Sequence, residues 1–433
     1  EAALNPPAPH LSAGWVFALV AALSALGLGL HWSLRFPASN AIDTAYQWDQ
    51  VHGLLPYTDL HTPGHTVLLK ALYALWDSPA SAVGAHIAAL ATLQGCFAVY
   101  LYRRGAHLGW LLALSALFTA CSDPTKWYFY PGKDIPYTAC LAGITYLLMR
   151  SREPGFRFGW WRAAGLGALL AFSVLFRYNG IVPVALCGLY FAVYFMRRRQ
   201  AGRLVALALA AGICALSVNA YAYRALNMAR VKNGFAVQTF GAGIAAVVAQ
   251  EGEMTPQQLA RIGNALPISW MREHYKPWAT KQLVWKREPS VESHPIDQGC
   301  NNCFVLAMGD RPAEVVGIYL SLLPRNAGLL LKELARNTTV VWSARNAGGA
   351  FSIPLLTLTL AIIACAAWSR RTARRHIVVF LPVAANLLSI AASTVTNEYR
   401  YLLPTFTLFW PLAIYIVLIG RNETAAGAPN VIG

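Results

Sequence analysis

Runs of about 15 to 20 apolar residues, almost free of charge, recur along this chain and constrain its fold more than any other feature. A helix of that length covers about 30 Å of hydrocarbon, and a helix satisfies its own backbone hydrogen bonds in lipid. With 56% hydrophobic and only 12% charged residues, the chain is too apolar for an ordinary soluble domain. The sequence therefore predicts an all-α, polytopic transmembrane bundle.

The apolar runs predict about ten spans. They are expected near residues 14–34, 82–102, 107–121, 134–149, 162–177, 180–196, 204–222, 349–368, 376–393 and 402–420. The first run is interpreted as a span because no basic flank precedes it and no A-x-A cleavage pattern follows it. The chain then divides into an N-terminal transmembrane module at 1–222 with a first outer loop at 35–81, an outer segment at 223–348 and a C-terminal transmembrane module at 349–433.

The outer segment contains helix-like stretches and is long enough for a small helical domain. In TPQQLARIGNAL, Thr255 is expected to be an N-cap and Pro256 the first helical residue. Several aromatic residues follow this stretch, so its helices are expected to pack on the membrane surface.

The net charge of +16 comes mostly from arginine clusters in every second connection between the predicted spans. These clusters are Arg103 and Arg104; Arg150, Arg152 and Arg157; Arg197, Arg198, Arg199 and Arg203; and Arg370, Arg371, Arg374 and Arg375. By the positive-inside rule, these connections and both termini are cytoplasmic, and the long connections face outward. No basic stripe with interleaved aromatics lies in a soluble segment, so a nucleic-acid partner is not expected.

Of the eight cysteines, only Cys300 and Cys303 stand together in a polar stretch, GCNNC. A local disulfide is the first interpretation if this stretch faces an oxidising compartment. A zinc half-site is the alternative, although no second ligand pair of suitable spacing is visible.

The chain has only 19 carboxylates, yet three of them, Asp43, Asp49 and Asp59, follow the first predicted span. Together with aromatic residues such as Tyr46, they suit a site that binds a polar headgroup and moves a proton. The alternative is that they cap interfacial helices and solvate the loop.

Two histidines, His61 and His65, follow in the same loop and are four residues apart. Pro63 and Gly64 between them argue against a shared helical face for metal binding. Hydrogen bonding to a substrate, or a role in the loop structure, is therefore favoured.

Three outer turns place basic residues beside acidic or polar ones. They carry Lys133 and Asp134 in WYFYPGKD, Arg177 and Asn179 in FRYNG, and Glu398 and Arg400 in NEYRYLLP. Each cation could anchor a helix end by snorkelling. Because the positive-inside rule disfavours outer Arg and Lys, these residues are also candidates for binding an anion.

These motifs, in this order, resemble the GT-C superfamily of membrane glycosyltransferases. IDTAYQWDQVHG is similar to the acidic motif of their first outer loop, with Asp43 at the position of the catalytic carboxylate, and Asp59, His61 and Pro63 resemble an element of protein O-mannosyltransferase-like members. A sparsely characterised bacterial branch is the most similar. The matching segments are Lys133 and Asp134, Arg177 to Gly180, Gln238 to Gly241, and Tyr275 to Pro277. One departure is Thr44, where many members have a second acid.

The resemblance implies a GT-C-type fold and transfer of a sugar from a polyprenyl phosphate, such as undecaprenyl phosphate, to an acceptor hydroxyl with inversion. Asp43 would be the general base, and Arg400, Lys133 and Arg177 would hold the lipid phosphate. The implied substrate-binding residues are Asp49, Asp59, His61, Tyr46 and Asn179. No cofactor or divalent metal is expected. The acceptor would be a lipid-linked glycan, a cell-wall polymer or a protein at the outer face of a bacterial inner membrane.

Two other classes of function remain open. A transporter or lipid flippase predicts polar groups accessible from both faces and paired broken helices, neither of which is plain here. A non-catalytic scaffold gives no reason for scarce carboxylates to gather after the first span.

Overall fold

The computed structural model describes residues 11–39, 42–59, 61–120, 126–230, 234–264, 267–274, 311–342, 359, 362–363, 373–393 and 399–426. Cys300, Cys303, Glu398 and the Tyr275 to Pro277 segment lie outside these ranges. For Asp43, Arg400 and Gln238 the backbone is described, and their side chains lie outside the description.

The described chain is almost entirely helical, and its one β-type contact is an isolated bridge between Thr58 and Ala229. The helices are α1 (Ala13–Ser33), α2 (Ile42–Val51), α3 (Pro63–Leu75), α4 (Pro79–Tyr102), α5 (Leu108–Ala120), α6 (Asp134–Ser151), α7 (Trp160–Phe176), α8 (Ile181–Arg197), α9 (Ala201–Ala220), α10 (Gly234–Ala249), α11 (Pro256–Gly263), α12 (Ile268–His274), α13 (Pro312–Trp342), α14 (Leu381–Ser393) and α15 (Leu403–Ala426). Short 3₁₀ turns cover Lys126–Phe129, Tyr178–Gly180, Ala373–Phe380 and Tyr399–Leu402, and a π-helical turn at Tyr221–Ala225 extends α9.

The all-α prediction is confirmed for the described residues, and four helices are long and apolar enough to cross a membrane. They are Ala13–Ser33, Pro79–Tyr102, Tyr178–Arg197 and Ala201–Ala225. Shorter apolar helices cover Leu108–Ala120, Trp160–Phe176 and Leu403–Ile419. A helix coincides with nearly every predicted span, except that 349–368 lies mostly outside the described residues. Four rather than ten helices meet the length and composition of a span, so ten spans remain a prediction.

Two helices establish that the bundle has two distinct polar ends. α6 begins at Asp134 and ends at Ser151, beside Arg152, and its 18 residues correspond to about 27 Å. α8 begins at Ile181, two residues after Asn179, and ends at Arg197. Asp134 and Asn179 are therefore separated from Arg152 and Arg197 by nearly the 30 Å thickness of a hydrocarbon layer.

Small residues let neighbouring helices approach closely, as is common between membrane helices. α7 and α9 pack so tightly that a Cβ at Gly167 would overlap the carbonyl oxygen of Leu207. A Cβ at Gly165, one half-turn earlier on α7, would meet nothing within 4 Å.

These two glycines provide a matched test of that packing. Gly167→Ala is expected to lower the free energy of unfolding by about 1 to 3 kcal/mol, because the backbones must move apart. Gly165→Ala should be neutral or stabilising by up to about 1 kcal/mol, because alanine favours helix. Thermal unfolding of both variants in one detergent measures the difference; equal effects would contradict the close approach.

The described part of the outer segment has a hydrophobic cluster of its own. Residues of α10 and α13, among them Ile244, Val248 and Ile318, pack together with Ile262 and Met271. The predicted helix start is confirmed: Thr255 caps α11 in a reciprocal capping box with Gln258, and Pro256 is its first residue.

Candidate functional site

The start of α3 is fixed against the end of α7. Thr62 precedes α3, Pro63 occupies its first position, and the Thr62 hydroxyl donates to the Phe176 carbonyl at 2.6 Å. A Cβ at Gly64 would lie 2.7 Å from the backbone oxygen of Leu175, so this close approach requires glycine. His61 thus lies before the helix and His65 within it, both buried.

His61 is paired with Lys133, which lies 72 residues later in the sequence. The Lys133 ammonium donates to His61 Nδ1 at 3.0 Å, and because an ammonium group cannot accept, this nitrogen of His61 is the acceptor. The Tyr46 ring packs edge-on against the His61 ring, with centroids 5.9 Å apart. Three predicted site residues therefore lie together.

The Arg177 side chain is buried in an ion pair with Asp134 at the start of α6. Its Nε also donates to the Asn179 side-chain oxygen at 3.0 Å. Because arginine stays charged in proteins, Asp134 compensates this cation within the protein. The part of the chain that the structure describes offers no hydrogen-bond partner to Nη2 of Arg177.

Arg177 also connects the site to the turn at Tyr399–Leu402, because its guanidinium lies over the Tyr401 ring, 4.2 Å from the centroid. The Tyr401 carbonyl accepts from Asn386 at 3.0 Å, and Asn386 accepts from the Tyr137 hydroxyl at 2.9 Å. Ser389, one turn further along α14, donates to the Asn179 carbonyl at 2.7 Å. This network holds the backbone of Arg400, beside Tyr401, at the same end of the bundle.

A second buried imidazole, His65, is held in one tautomer. The Gln47 amide nitrogen donates to Thr66 at 3.0 Å, so its oxygen faces His65 Nδ1 at 2.9 Å and accepts the proton there. His65 Nε2 is then a buried acceptor with no hydrogen-bond partner among the residues described. Burial lowers the pKa of His65 well below 6.5, and nearby His86, Lys133 and His61 lower it further. The ring is therefore neutral near pH 7, and its Nε2 atom can accept a hydrogen bond from a hydroxyl group.

Asp43 lies in the first turn of α2, and its neighbours place that turn at the same site. Thr44 is buried, and its methyl carbon lies 3.4 Å from where a Cβ at Gly132 would be. Gly132 directly precedes Lys133, and Gln47, one turn after Asp43, contacts His65. The backbone at Asp43 is therefore adjacent to the Lys133 turn.

Comparison of the chain with protein-family models, with curated proteins and with solved structures gave no match. What the site does must therefore be inferred from its own residues.

The other two predicted carboxylates lie in different surroundings. Asp59 accepts from the Tyr223 hydroxyl at 2.8 Å, and its backbone oxygen accepts from Tyr178 at 2.8 Å, which ties the first outer loop to the ends of α7 and α9. Asp49 lies partly exposed on α2, where its backbone oxygen accepts from Leu54.

Several residues that form the site were not predicted from the sequence. Gln47, Tyr137, Asn386 and Ser389 are all buried and hydrogen-bonded there. A usable signal existed for Asn386 and Ser389, since polar residues three apart in an otherwise apolar helix usually face a polar partner inside a bundle. The described residues contain no group of three His, Cys, Asp or Glu side chains arranged to hold a metal ion.

Proposed function

We propose that this chain is a GT-C-type membrane glycosyltransferase that moves a sugar from a polyprenyl phosphate to an acceptor hydroxyl at the outer face of a bacterial inner membrane. The observation that carries the proposal is the convergence of His61, Lys133, Asp134, Arg177 and Tyr401 at one end of the bundle. Residues that only anchored helix ends would extend toward water or lipid headgroups. Lys133 and Arg177 instead contact polar groups inside the protein.

The phosphate is assigned mainly to Arg400 and Lys133. As the sugar leaves, negative charge grows on the lipid phosphate, so fixed cations there stabilise the transition state more than the ground state. Arg177 is already compensated by Asp134, and it helps chiefly by stacking on Tyr401 and so orienting the turn that carries Arg400. A monophosphate held by arginine and lysine does not require a divalent metal.

The role of general base is assigned to Asp43, which would accept the proton of the attacking hydroxyl as the configuration at the anomeric carbon inverts. The position of its backbone on α2, beside the Lys133 turn, supports assigning a base and a cation to the same region. His61, His65 and Tyr46 would contact the sugar. An unpartnered buried acceptor such as His65 Nε2 costs about 1 to 3 kcal/mol, which a sugar hydroxyl donating to it would recover.

The phosphate assignment predicts that Arg400→Glu weakens binding of undecaprenyl phosphate at least tenfold, because charge reversal replaces attraction by repulsion. Binding to the purified protein in lipid nanodiscs measures this effect. Undecaprenol, which has the same tail without the phosphate, is the matched ligand control, and its binding should not change. Unchanged affinity of the variant for undecaprenyl phosphate would remove Arg400 from the phosphate site.

The transfer reaction itself is tested with the purified protein in detergent. The substrates come from a strain in which the chromosomal gene for this protein is deleted. Lipids extracted from that strain serve as donors and its surface glycans as acceptors, and mass spectrometry follows the added sugar and the released polyprenyl phosphate. Product formed by the purified protein supports a transferase. No product in detergent, together with restored glycans when the gene is returned to cells, would favour the flippase. A flippase moves a lipid between two membrane faces, and a detergent micelle does not have them.

A further inference from the structure

Several arginine residues lie together at the end of the bundle opposite the candidate site. We propose that this end binds the phosphate of an anionic phospholipid. The arginine cluster consists of Arg104 after α4, Arg150 and Arg152 at the end of α6, and Arg375 in the turn at Ala373–Phe380. The proposed binding is independent of the transferase reaction.

One carboxylate serves two members of the arginine cluster. Glu153 forms ion pairs with Arg104 at 3.2 Å and with Arg150 at 3.4 Å. Both guanidinium groups also lie over the Tyr100 ring, at 5.3 and 5.8 Å from its centroid. Glu153 is thereby shared and does not extend to the remaining arginines.

Arg152 and Arg375 have no acidic partner in the part of the chain that the structure describes. The Nε atom of Arg152 is buried there without a hydrogen-bond acceptor, whereas Arg375 is exposed. Arg152, Arg375 and Arg104 all lie within electrostatic range of His376, whose Nδ1 is bonded to the Tyr415 hydroxyl at 2.8 Å. Because arginine cannot relieve repulsion by losing a proton, this arrangement favours an external anion.

The position of the arginine cluster indicates a lipid as the source of that anion. α6 separates it from the candidate site by about 27 Å, so it lies where headgroups meet one face of the hydrocarbon layer. Trp160 and Trp161, which begin α7 at the same end, are 53% and 90% exposed. Exposed tryptophans are typical of the headgroup level of a membrane. Basic pockets between helices on the cytoplasmic side suit anionic headgroups.

The test is a lipid titration of the delipidated full-length protein, read by native mass spectrometry. Wild type is expected to bind phosphatidylglycerol at least tenfold more tightly than phosphatidylcholine. The double variant Arg152→Gln/Arg375→Gln should lose that preference. Arg375→Gln alone should lose part of it, and because Arg375 is exposed this variant keeps the fold. The matched control Arg197→Gln removes an exposed arginine of the same end and should keep the wild-type ratio.

Three results would overturn the proposal. They are equal affinity of wild type for the two lipids, an effect of Arg197→Gln as large as that of the double variant, and full competition by inorganic phosphate at the same concentration as the lipid. The second result would indicate diffuse surface charge, and the third a site for free phosphate.

Discussion

Asp43→Asn is expected to lower sugar transfer by about 10²- to 10⁴-fold, because an amide cannot accept the proton of the attacking hydroxyl. The variant should express, migrate as wild type on size exclusion and bind undecaprenyl phosphate unchanged, since the phosphate is assigned to other residues. The detergent assay with donor lipids from the deletion strain measures the rate, and surface glycans of the complemented strain report the same loss in cells.

Asp77→Asn is the control for this prediction. Asp77 belongs to the same predicted outer loop, its side chain is 65% exposed, and its described partner is His52 at 2.8 Å. Transfer by Asp77→Asn should stay within about twofold of wild type, as expected for a surface ion pair. A near wild-type rate for Asp43→Asn would end its assignment as the base, whatever the control does.

Asp134→Leu is expected to lower the free energy of unfolding by about 3 to 5 kcal/mol, because it leaves the Arg177 guanidinium buried without its carboxylate. The side chains of Arg177 and Asp134 are only 9% and 7% exposed, so water cannot replace the lost partner. Unfolding by heat or denaturant in one detergent measures the loss.

The double variant Asp134→Leu/Arg177→Met should recover at least half of that loss, because replacing both charges by apolar groups removes the unpaired cation. The contacts of Arg177 with Asn179 and Tyr401 are lost in the double variant, so recovery should be incomplete. A double variant as unstable as Asp134→Leu alone would contradict the coupling. Asp77→Leu, in the exposed pair with His52, should cost no more than about 1 kcal/mol.

The site divides the predicted cations into two kinds. Lys133 and Arg177 were equivalent in sequence, since each is an outer basic residue beside a polar one. In the structure Arg177 pairs with a carboxylate and lies over an aromatic ring, and Lys133 donates to an imidazole. The contacts of Arg177 favour a positioning role for that residue.

Helix positions were predictable from sequence because hydrophobic length and cap residues are local properties. The predicted span at 82–102 is the helix Pro79–Tyr102, and Thr255 and Pro256 begin a helix as expected. The roles of Asp43, Arg400, Cys300 and Cys303 stay predictions, since their side chains lie outside the described residues. Asp59 was grouped with Asp43 because the two are close in sequence. In the structure Asp59 accepts a hydrogen bond from Tyr223, which lies 164 residues away.

The sequence by itself determined an apolar helical chain whose arginines and carboxylates occupy different connections, because periodicity, length and charge are read along the chain. Tertiary structure alone decided which polar side chains meet: His61 with Lys133, Asp134 with Arg177, and Glu153 with two arginines. These partners are brought together by helix packing, and the energy of a buried polar group depends on its partner rather than on its neighbours in sequence.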